Sequence, residues 1–129
     1  MAPISVTLER ADPPTGIVTL LGEQDAYSAP RLENELALLL DEELTVVVDL
    51  SDTTFVDSQT LSILLAARHR AQRSRIGFTV VLPSEPYTQV HRILDITGLG
   101  TSFAVYPTLR AALAGARAGR NAGERARAA

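Results

Sequence analysis

The segment VVVDLSDTTFVDSQTL, residues 46–61, decides the fold of this chain. Its first three residues are β-branched and apolar, which is typical of a strand in the middle of a sheet covered on both faces. A short polar loop follows, and Asp57 and Ser58 then precede the apolar positions of a helix. Ser is a good N-cap, because its hydroxyl can accept a hydrogen bond from a free backbone N–H of the first turn. The segment therefore predicts a buried strand, a loop and a helix whose N-cap is Ser58.

Ser58 has a second interpretation besides that of a cap. A hydroxyl at the start of a helix is partly exposed and lies at the positive end of the helix dipole. A phosphate added there would be held by backbone amides and by the dipole. The segment alone leaves both interpretations open.

The rest of the chain continues the alternation of strands and helices. Strands are predicted at 4–9, 17–21, 45–50, 78–82 and 103–106, and helices at 28–41 (capped by Ser28), 58–73, 86–97 and after Pro107, with a loop at 22–28. The first two strands form a hairpin, and the short links that follow favour right-handed crossovers and parallel pairing. The predicted fold is an α/β domain with a mixed, mainly parallel sheet, an opening hairpin and about four helices packed largely on one side.

Length and composition indicate one ordinary soluble domain. The 129 residues carry a net charge of −3 and no Cys, which excludes a disulfide framework, a thiolate metal site and a Cys nucleophile. We expect the domain to span residues 1–116, with a disordered Ala/Arg-rich tail at 117–129. No apolar run approaches the roughly 20 residues that span a bilayer, and the first residues lack the basic and hydrophobic pattern of a secretory signal, so we expect none. The predicted location is cytoplasmic, without membrane insertion.

The residues that several kinds of catalytic and binding site require are absent from this sequence. All 12 basic residues are Arg, so a phosphate-binding or Schiff-base lysine is absent. His69 and His91 are isolated on polar helical faces, and no Gly-x-Ser-x-Gly elbow supports a serine hydrolase. Without aromatic interleaving, the Arg residues at 68–75 suit a helix C-terminus better than direct nucleic-acid binding. The sequence predicts no enzyme, no metal site and no cofactor.

Three motifs in this order resemble those of the STAS domain, the fold of anti-sigma factor antagonists. They are GEQD at residues 22–25, DLS and FVDS with a following Leu within residues 49–61, and ITGL at residues 96–99. In that family a strand ends in Asp-Leu-Ser or a similar sequence, and an apolar-apolar-Asp-Ser-Ser-Gly-Leu segment opens the next helix. The resemblance covers the chain from about residue 4 to about residue 114.

The resemblance implies a phosphorylation switch. In phosphorylated antagonists the serine directly after the signature Asp is the acceptor, and that position is Ser58. An unphosphorylated antagonist binds an anti-sigma factor that is also a serine kinase, and the sigma factor is released. The kinase then phosphorylates the serine with its ATP, the antagonist dissociates, and a phosphatase resets it.

The implied partner-binding surface is the start of the helix at 58–73 with the neighbouring loop at 22–29. Its candidate residues are Asp25, Asp57, Ser58, Gln59 and Thr60, and Thr60 is also an alternative phosphoacceptor. Asp25 has a purely structural alternative as a turn residue. Asp57 also has a structural alternative, as the residue that fixes the start of the helix.

The motif departs from the family pattern at two positions. Gln59 stands where the family usually has Ser, and Thr60 stands where it usually has Gly. Gly permits a close backbone approach, whereas Thr60 adds a branched side chain where a kinase must approach. The alternative function is therefore a non-phosphorylated STAS domain, such as a scaffold or a subunit of a transporter complex.

Overall fold

The computed structural model describes residues 3–122. Its strands are β1 (Ile4–Glu9), β2 (Thr15–Leu20), β3 (Gly22–Gln24), β4 (Thr45–Asp49), β5 (Thr53–Val56), β6 (Phe78–Val81) and β7 (Ala104–Tyr106). Its helices are α1 (Ala29–Asp41), α2 (Ser58–Arg73), α3 (Gln89–Thr97) and α4 (Leu109–Arg117), with a 3-10 turn at Leu99–Thr101. None of the helices in this part of the chain has the length and apolar character that crossing a membrane requires.

The main sheet has five strands in the order β1-β2-β4-β6-β7. β1 runs antiparallel to β2, and the other three pairs are parallel. The prediction of a mixed, mainly parallel sheet that opens with a hairpin is confirmed. Parallel strands bury both faces, which is why β4 reads as a continuous apolar run.

Alternate residues of the central strands face two separate apolar clusters. Val46 and Val48 point into the larger cluster, which contains side chains of α1, α2 and α3. Val47 points into the smaller cluster, where Ala112 and Ala116 of α4 pack. Three helices thus cover one face and α4 alone covers the other, which confirms that the helices pack largely on one side.

The sequence missed two short strands and misplaced the start of one helix, α3. β3 and β5 form a separate two-stranded sheet where only loops were predicted. Neither strand has an alternating apolar pattern. α3 begins at Gln89 rather than at residue 86, because Thr88 accepts a hydrogen bond from the His91 amide and caps the helix. Ser28 precedes α1 but makes no side-chain cap hydrogen bond.

Two residues just past the predicted boundary at residue 116 bond to the start of β6. The backbone oxygen of Arg120 accepts a hydrogen bond from the Phe78 amide at 2.8 Å. The Asn121 side chain donates to the backbone oxygen of Ile76 at 3.1 Å. Arg120 and Asn121 thus bond to residues 76–78, and the domain boundary at residue 116 stays a prediction. The rest of the predicted tail, 123–129, lies outside the described residues.

Candidate functional site

The residues before α2 belong to the small sheet, and β5 contains an irregularity. Gly22 pairs with Thr53, but the next residue, Glu23, pairs with Phe55, so Thr54 is an extra residue in β5. An extra residue of this kind forms a β-bulge, which bends the strand and re-aims its side chains. Thr54 and Phe55 are consequently both exposed.

The N-cap of α2 is Asp57, not Ser58 as the sequence predicted. Asp57 has an extended backbone, with φ −97° and ψ 176°. Its Oδ1 accepts a hydrogen bond from the Thr60 amide at 2.8 Å. Ser58 is the first residue of the helix itself. A carboxylate suits this position better than a hydroxyl, because it also opposes the positive end of the helix dipole.

Asp57→Ala is expected to lower the free energy of unfolding by about 1–2 kcal/mol, the usual cost of losing an N-cap. Asp57→Asn keeps an oxygen that can accept from the Thr60 amide, so it should retain most of that stability. Urea denaturation of both variants measures the difference. Equal losses in the two variants would show that the carboxylate charge matters here and the cap hydrogen bond does not.

Thr60 is completely buried, and its hydroxyl is engaged. The Thr60 Oγ1 lies 2.8 Å from Asp57 Oδ1 and 3.2 Å from the backbone oxygen of Gln24, within donating distance of both. A kinase cannot reach this hydroxyl in the folded domain, so the structure argues against Thr60 as the alternative acceptor and as a direct partner contact. Thr60 instead links the first turn of α2 to β3.

Gln24 completes the link between β3 and the start of α2. Its side chain is fully buried, and Nε2 donates to the backbone oxygens of Pro3 at 3.1 Å and Leu21 at 3.0 Å. Its own backbone oxygen accepts from the Asp57 amide at 3.2 Å. The end of β3 is therefore fixed to the chain terminus on one side and to α2 on the other.

Gln89, the first residue of α3, holds the other side of β5. Its Oε1 accepts from the Val56 amide at 2.9 Å, and its Nε2 donates to the Val56 oxygen at 2.8 Å. The side-chain amide thus pairs with β5 as a neighbouring strand would. No local pattern in the sequence indicates this contact, because the two residues are far apart along the chain.

Asp25 acts as a turn residue. Its Oδ1 accepts from the Tyr27 amide at 2.9 Å, and its backbone oxygen accepts from the amides of Ser28 at 3.1 Å and Ala29 at 2.9 Å. Ser28 Oγ accepts from the Asp25 amide at 3.1 Å instead of capping α1. Within residues 3–122 no hydrogen bond joins Asp25 to Ser58, so the structural interpretation of Asp25 accounts for its contacts.

Ser58 and Gln59 lie exposed on the first turn of α2. In the part of the chain that the structure describes, the Ser58 hydroxyl has no hydrogen-bond partner. An unbonded, exposed hydroxyl next to an occupied N-cap is open to a kinase. The backbone beneath it is fixed by Asp57, Thr60 and Gln24.

Two exposed aromatic side chains, in the segments that precede α1 and α2, were missed by sequence reasoning. Tyr27 is 96% exposed and Phe55 is 39% exposed. Tyr27 lies in the turn after β3, and Phe55 lies in β5 on the outer side of the bulge. An aromatic residue inside an Asx-turn was a usable signal for Tyr27, whereas the orientation of Phe55 depends on the bulge.

The two segments that form the site carry only acidic charges, and Arg92 of α3 lines a cavity together with Thr53 and Thr54. These two segments, residues 22–28 and 53–62, contain no Lys, Arg or His and three carboxylates, those of Glu23, Asp25 and Asp57. Within residues 3–122 no group of three His, Cys, Asp or Glu side chains could hold a metal ion. A phosphate on Ser58 would therefore enter a negatively charged neighbourhood.

The fold and this site define a STAS domain. A family model described as the STAS domain matches residues 6–112, so the chain belongs to that family. Anti-sigma-F factor antagonist RsfB of Mycobacterium tuberculosis is 32% identical over 121 residues, which are 92% of this chain and 96% of RsfB. The resemblance seen in the three sequence motifs is confirmed.

Solved structures give the same result. An anti-sigma factor antagonist from Mycobacterium paratuberculosis superposes with a TM-score of 0.70 at 32% identity, over 90% of this chain and 97% of that one. The anti-sigma factor antagonist SpoIIAA in its unphosphorylated form superposes with a TM-score of 0.64 at 13% identity, over 85% of this chain and 94% of that one. At that identity the likeness to SpoIIAA concerns the fold alone.

Proposed function

We propose that this chain is an anti-sigma factor antagonist that regulates transcription by partner switching. Unphosphorylated, it binds an anti-sigma factor that is also a serine kinase, and the sigma factor is released. Phosphorylation of Ser58 ends the complex, and a phosphatase restores the binding form. The chain is a regulatory protein of the bacterial cytoplasm, not an enzyme, and it contacts neither DNA nor the membrane directly.

The observation that carries this proposal is the state of Ser58. Its hydroxyl is exposed and unbonded within the described residues, directly after the Asp57 cap. The relative RsfB, which is named an anti-sigma-F factor antagonist, aligns over 92% of this chain. Other arrangements of these residues, with the hydroxyl buried or engaged as a cap, would have argued against a switch.

The two departures from the family pattern do not block the site. Thr60 adds a methyl group and a hydroxyl, but both are buried beneath the first turn of α2, with the hydroxyl bonded to Asp57 and Gln24. Its side chain therefore leaves the approach to Ser58 open. Gln59 is exposed beside Ser58 and is a neutral residue that a partner can accommodate.

A phosphate on Ser58 changes the surface strongly. It adds about two negative charges at pH 7. The Asp57 carboxylate already occupies the Thr60 amide at the helix N-terminus, so the phosphate must share that region with a like charge. Burying this charge in a closely packed interface costs several kcal/mol unless a cation receives it. We infer that the added charge drives the partners apart.

The kinase reaction tests the proposal. The chain, tagged and purified from its own cells, is expected to bring an anti-sigma factor with it. Adding ATP and Mg²⁺ to that complex should place a single phosphate on Ser58, which peptide mass spectrometry locates. Ser58→Ala should accept none, and Thr60→Val should still be modified because Thr60 is buried.

Two outcomes would contradict it. Phosphate retained on Ser58→Ala would move the switch to another residue. No phosphate on the wild-type chain, with a partner whose ATPase or kinase activity is demonstrated, would favour the non-phosphorylated STAS scaffold or transporter-complex subunit.

A further inference from the structure

The β-bulge in β5 exposes an apolar side chain that regular pairing would bury. In a regular strand Thr53 and Phe55 would point to the same side. Thr53 is 3% exposed and its hydroxyl donates to the Leu20 oxygen at 2.7 Å, whereas Phe55 is 39% exposed. Bulges are found next to functional sites, where they re-aim a side chain. Phe55 is therefore held outward by the backbone itself.

Tyr27 is held outward by an equally fixed turn. Its amide donates to Asp25 Oδ1 at 2.9 Å, and the next two residues, Ser28 and Ala29, are buried. The side chain is 96% exposed. Because hydrogen bonds already hold the backbone of this turn, binding through Tyr27 costs little backbone entropy, which favours its use as a binding anchor.

Both aromatic residues flank the start of α2. Phe55 is two residues before the Asp57 cap, and the turn that carries Tyr27 begins at Gln24, whose oxygen accepts from the Asp57 amide at 3.2 Å. Glu23 lies opposite Phe55 across the β3–β5 pair and is exposed. The surface thus combines two apolar groups with three carboxylates and, in segments 22–28 and 53–62, no basic residue.

We propose that Tyr27 and Phe55 are the apolar anchors of the partner interface, and that the partner presents two apolar pockets with an Arg or Lys side chain opposite Glu23 and none against Ser58. This proposal rests on the proposed function, since the partner is the anti-sigma factor bound at Ser58. Aromatic side chains that fill pockets provide most of the affinity in many interfaces. Opposite charge at the rim speeds association and fixes orientation.

The two features have separate roles in the switch. Tyr27 and Phe55 contribute affinity only when they fill their pockets. The interface can close in this way only if water leaves the surface around Ser58. A phosphate on Ser58 retains its hydration shell, so the two surfaces cannot close and the aromatic side chains cannot fill their pockets. The basic side chain of the partner pairs with Glu23, which is exposed, and it speeds association before the two aromatic side chains enter their pockets.

Alanine substitution tests the anchors against a matched control. Tyr27→Ala and Phe55→Ala are each expected to raise the Kd for the purified anti-sigma factor at least about tenfold. Leu8→Ala is the control, because Leu8 is 64% exposed and pairs with Gly16, at the end of β2 opposite to Leu20 and the start of β3. It should leave the Kd unchanged. Thermal unfolding of each variant reports whether the fold is intact, and Tyr27→Ala, which removes a nearly fully exposed ring, decides the matter if Phe55→Ala unfolds.

The salt dependence of the association rate tests the proposed pairing of Glu23 with a basic side chain of the partner. Raising NaCl from about 50 mM to about 500 mM should slow association with the wild-type chain, because exposed charge pairs are screened. Glu23→Arg should slow association at low salt and reduce that salt dependence. Unchanged association rates in both experiments would overturn the pairing of Glu23 with a basic side chain, and unchanged Kd values for Tyr27→Ala and Phe55→Ala would overturn the anchors.

These results separate the inference from the proposed function. If Ser58→Asp weakens binding while the alanine variants bind as wild type does, the switch stands and the anchors are wrong. If the alanine variants bind weakly but Ser58→Asp binds normally, the anchors stand and the switch is wrong. If the chain captures no anti-sigma factor, both are wrong.

Discussion

Gly77→Ala is expected to lower the free energy of unfolding by about 3 kcal/mol, because the added Cβ overlaps the backbone of α4 and forces that helix to shift. A Cβ built on Gly77 would overlap the backbone oxygen of Ala116 at the end of α4 and lie 2.7 Å from its carbonyl carbon. The Gly77 oxygen meanwhile accepts from the Val46 amide at 3.0 Å, which ties this position to the central strand. Both of these Ala116 atoms belong to the helix backbone rather than to a flexible side chain, so α4 itself must shift.

Gly100→Ala is the control for this substitution. A Cβ at Gly100 meets only the Leu94 Cβ, at 3.9 Å, which is ordinary contact. Its effect should stay within about 0.5 kcal/mol, as for most substitutions without a clash. Urea denaturation of both variants measures the two values. If Gly77→Ala were as stable as Gly100→Ala, the close approach of α4 to the start of β6 would be wrong.

The strong periodic patterns made most of the fold predictable. Val46 to Val48 indicated a buried central strand, because both faces of a parallel sheet are covered. In α1, Leu32, Leu36 and Leu39 recur at helical spacing, and all three are buried. Elements whose own residues carry such a pattern could be placed to within a residue or two.

The elements that form the site lack such patterns. β3 and β5 have only three and four residues, and each exists because it pairs with the other. The bulge that exposes Phe55 is a property of that pairing. No local signal in the sequence distinguishes a bulged strand from a regular one at this length, so Phe55 reads as a core residue.

The cap of α2 shows a different limit. Asp57 and Ser58 are adjacent, and both are good N-cap residues. The choice depends on which of them has extended backbone, and that is Asp57, whose carboxylate reaches both the amide and the hydroxyl of Thr60. The sequence located the helix start correctly, but it could not show which residue is the cap. It therefore could not show that the Ser58 hydroxyl is not used for capping.

Ser58→Asp is expected to raise the Kd for the anti-sigma factor by about a hundredfold or more, while Ser58→Ala binds at least as well as wild type. Leaving one uncompensated charge in a desolvated interface costs about 3 kcal/mol or more, and each 1.4 kcal/mol is a factor of ten. The new carboxylate also lies next to the Asp57 cap, in a segment without any basic residue. Isothermal titration calorimetry with the purified partner measures all three affinities.

Ser74→Asp makes the same substitution at the other end of α2 and serves as the control. Ser74 is exposed and, at 1.5 Å per residue, lies about 24 Å along the helix from Ser58. It should leave the Kd unchanged, which separates a local effect from a change in net charge. The weakening by Ser58→Asp should also persist at about 500 mM NaCl, because salt screens exposed charges but not a desolvation cost. Equal affinities for Ser58→Asp and Ser58→Ala would contradict the switch, and this STAS domain would then be a constitutive binding subunit.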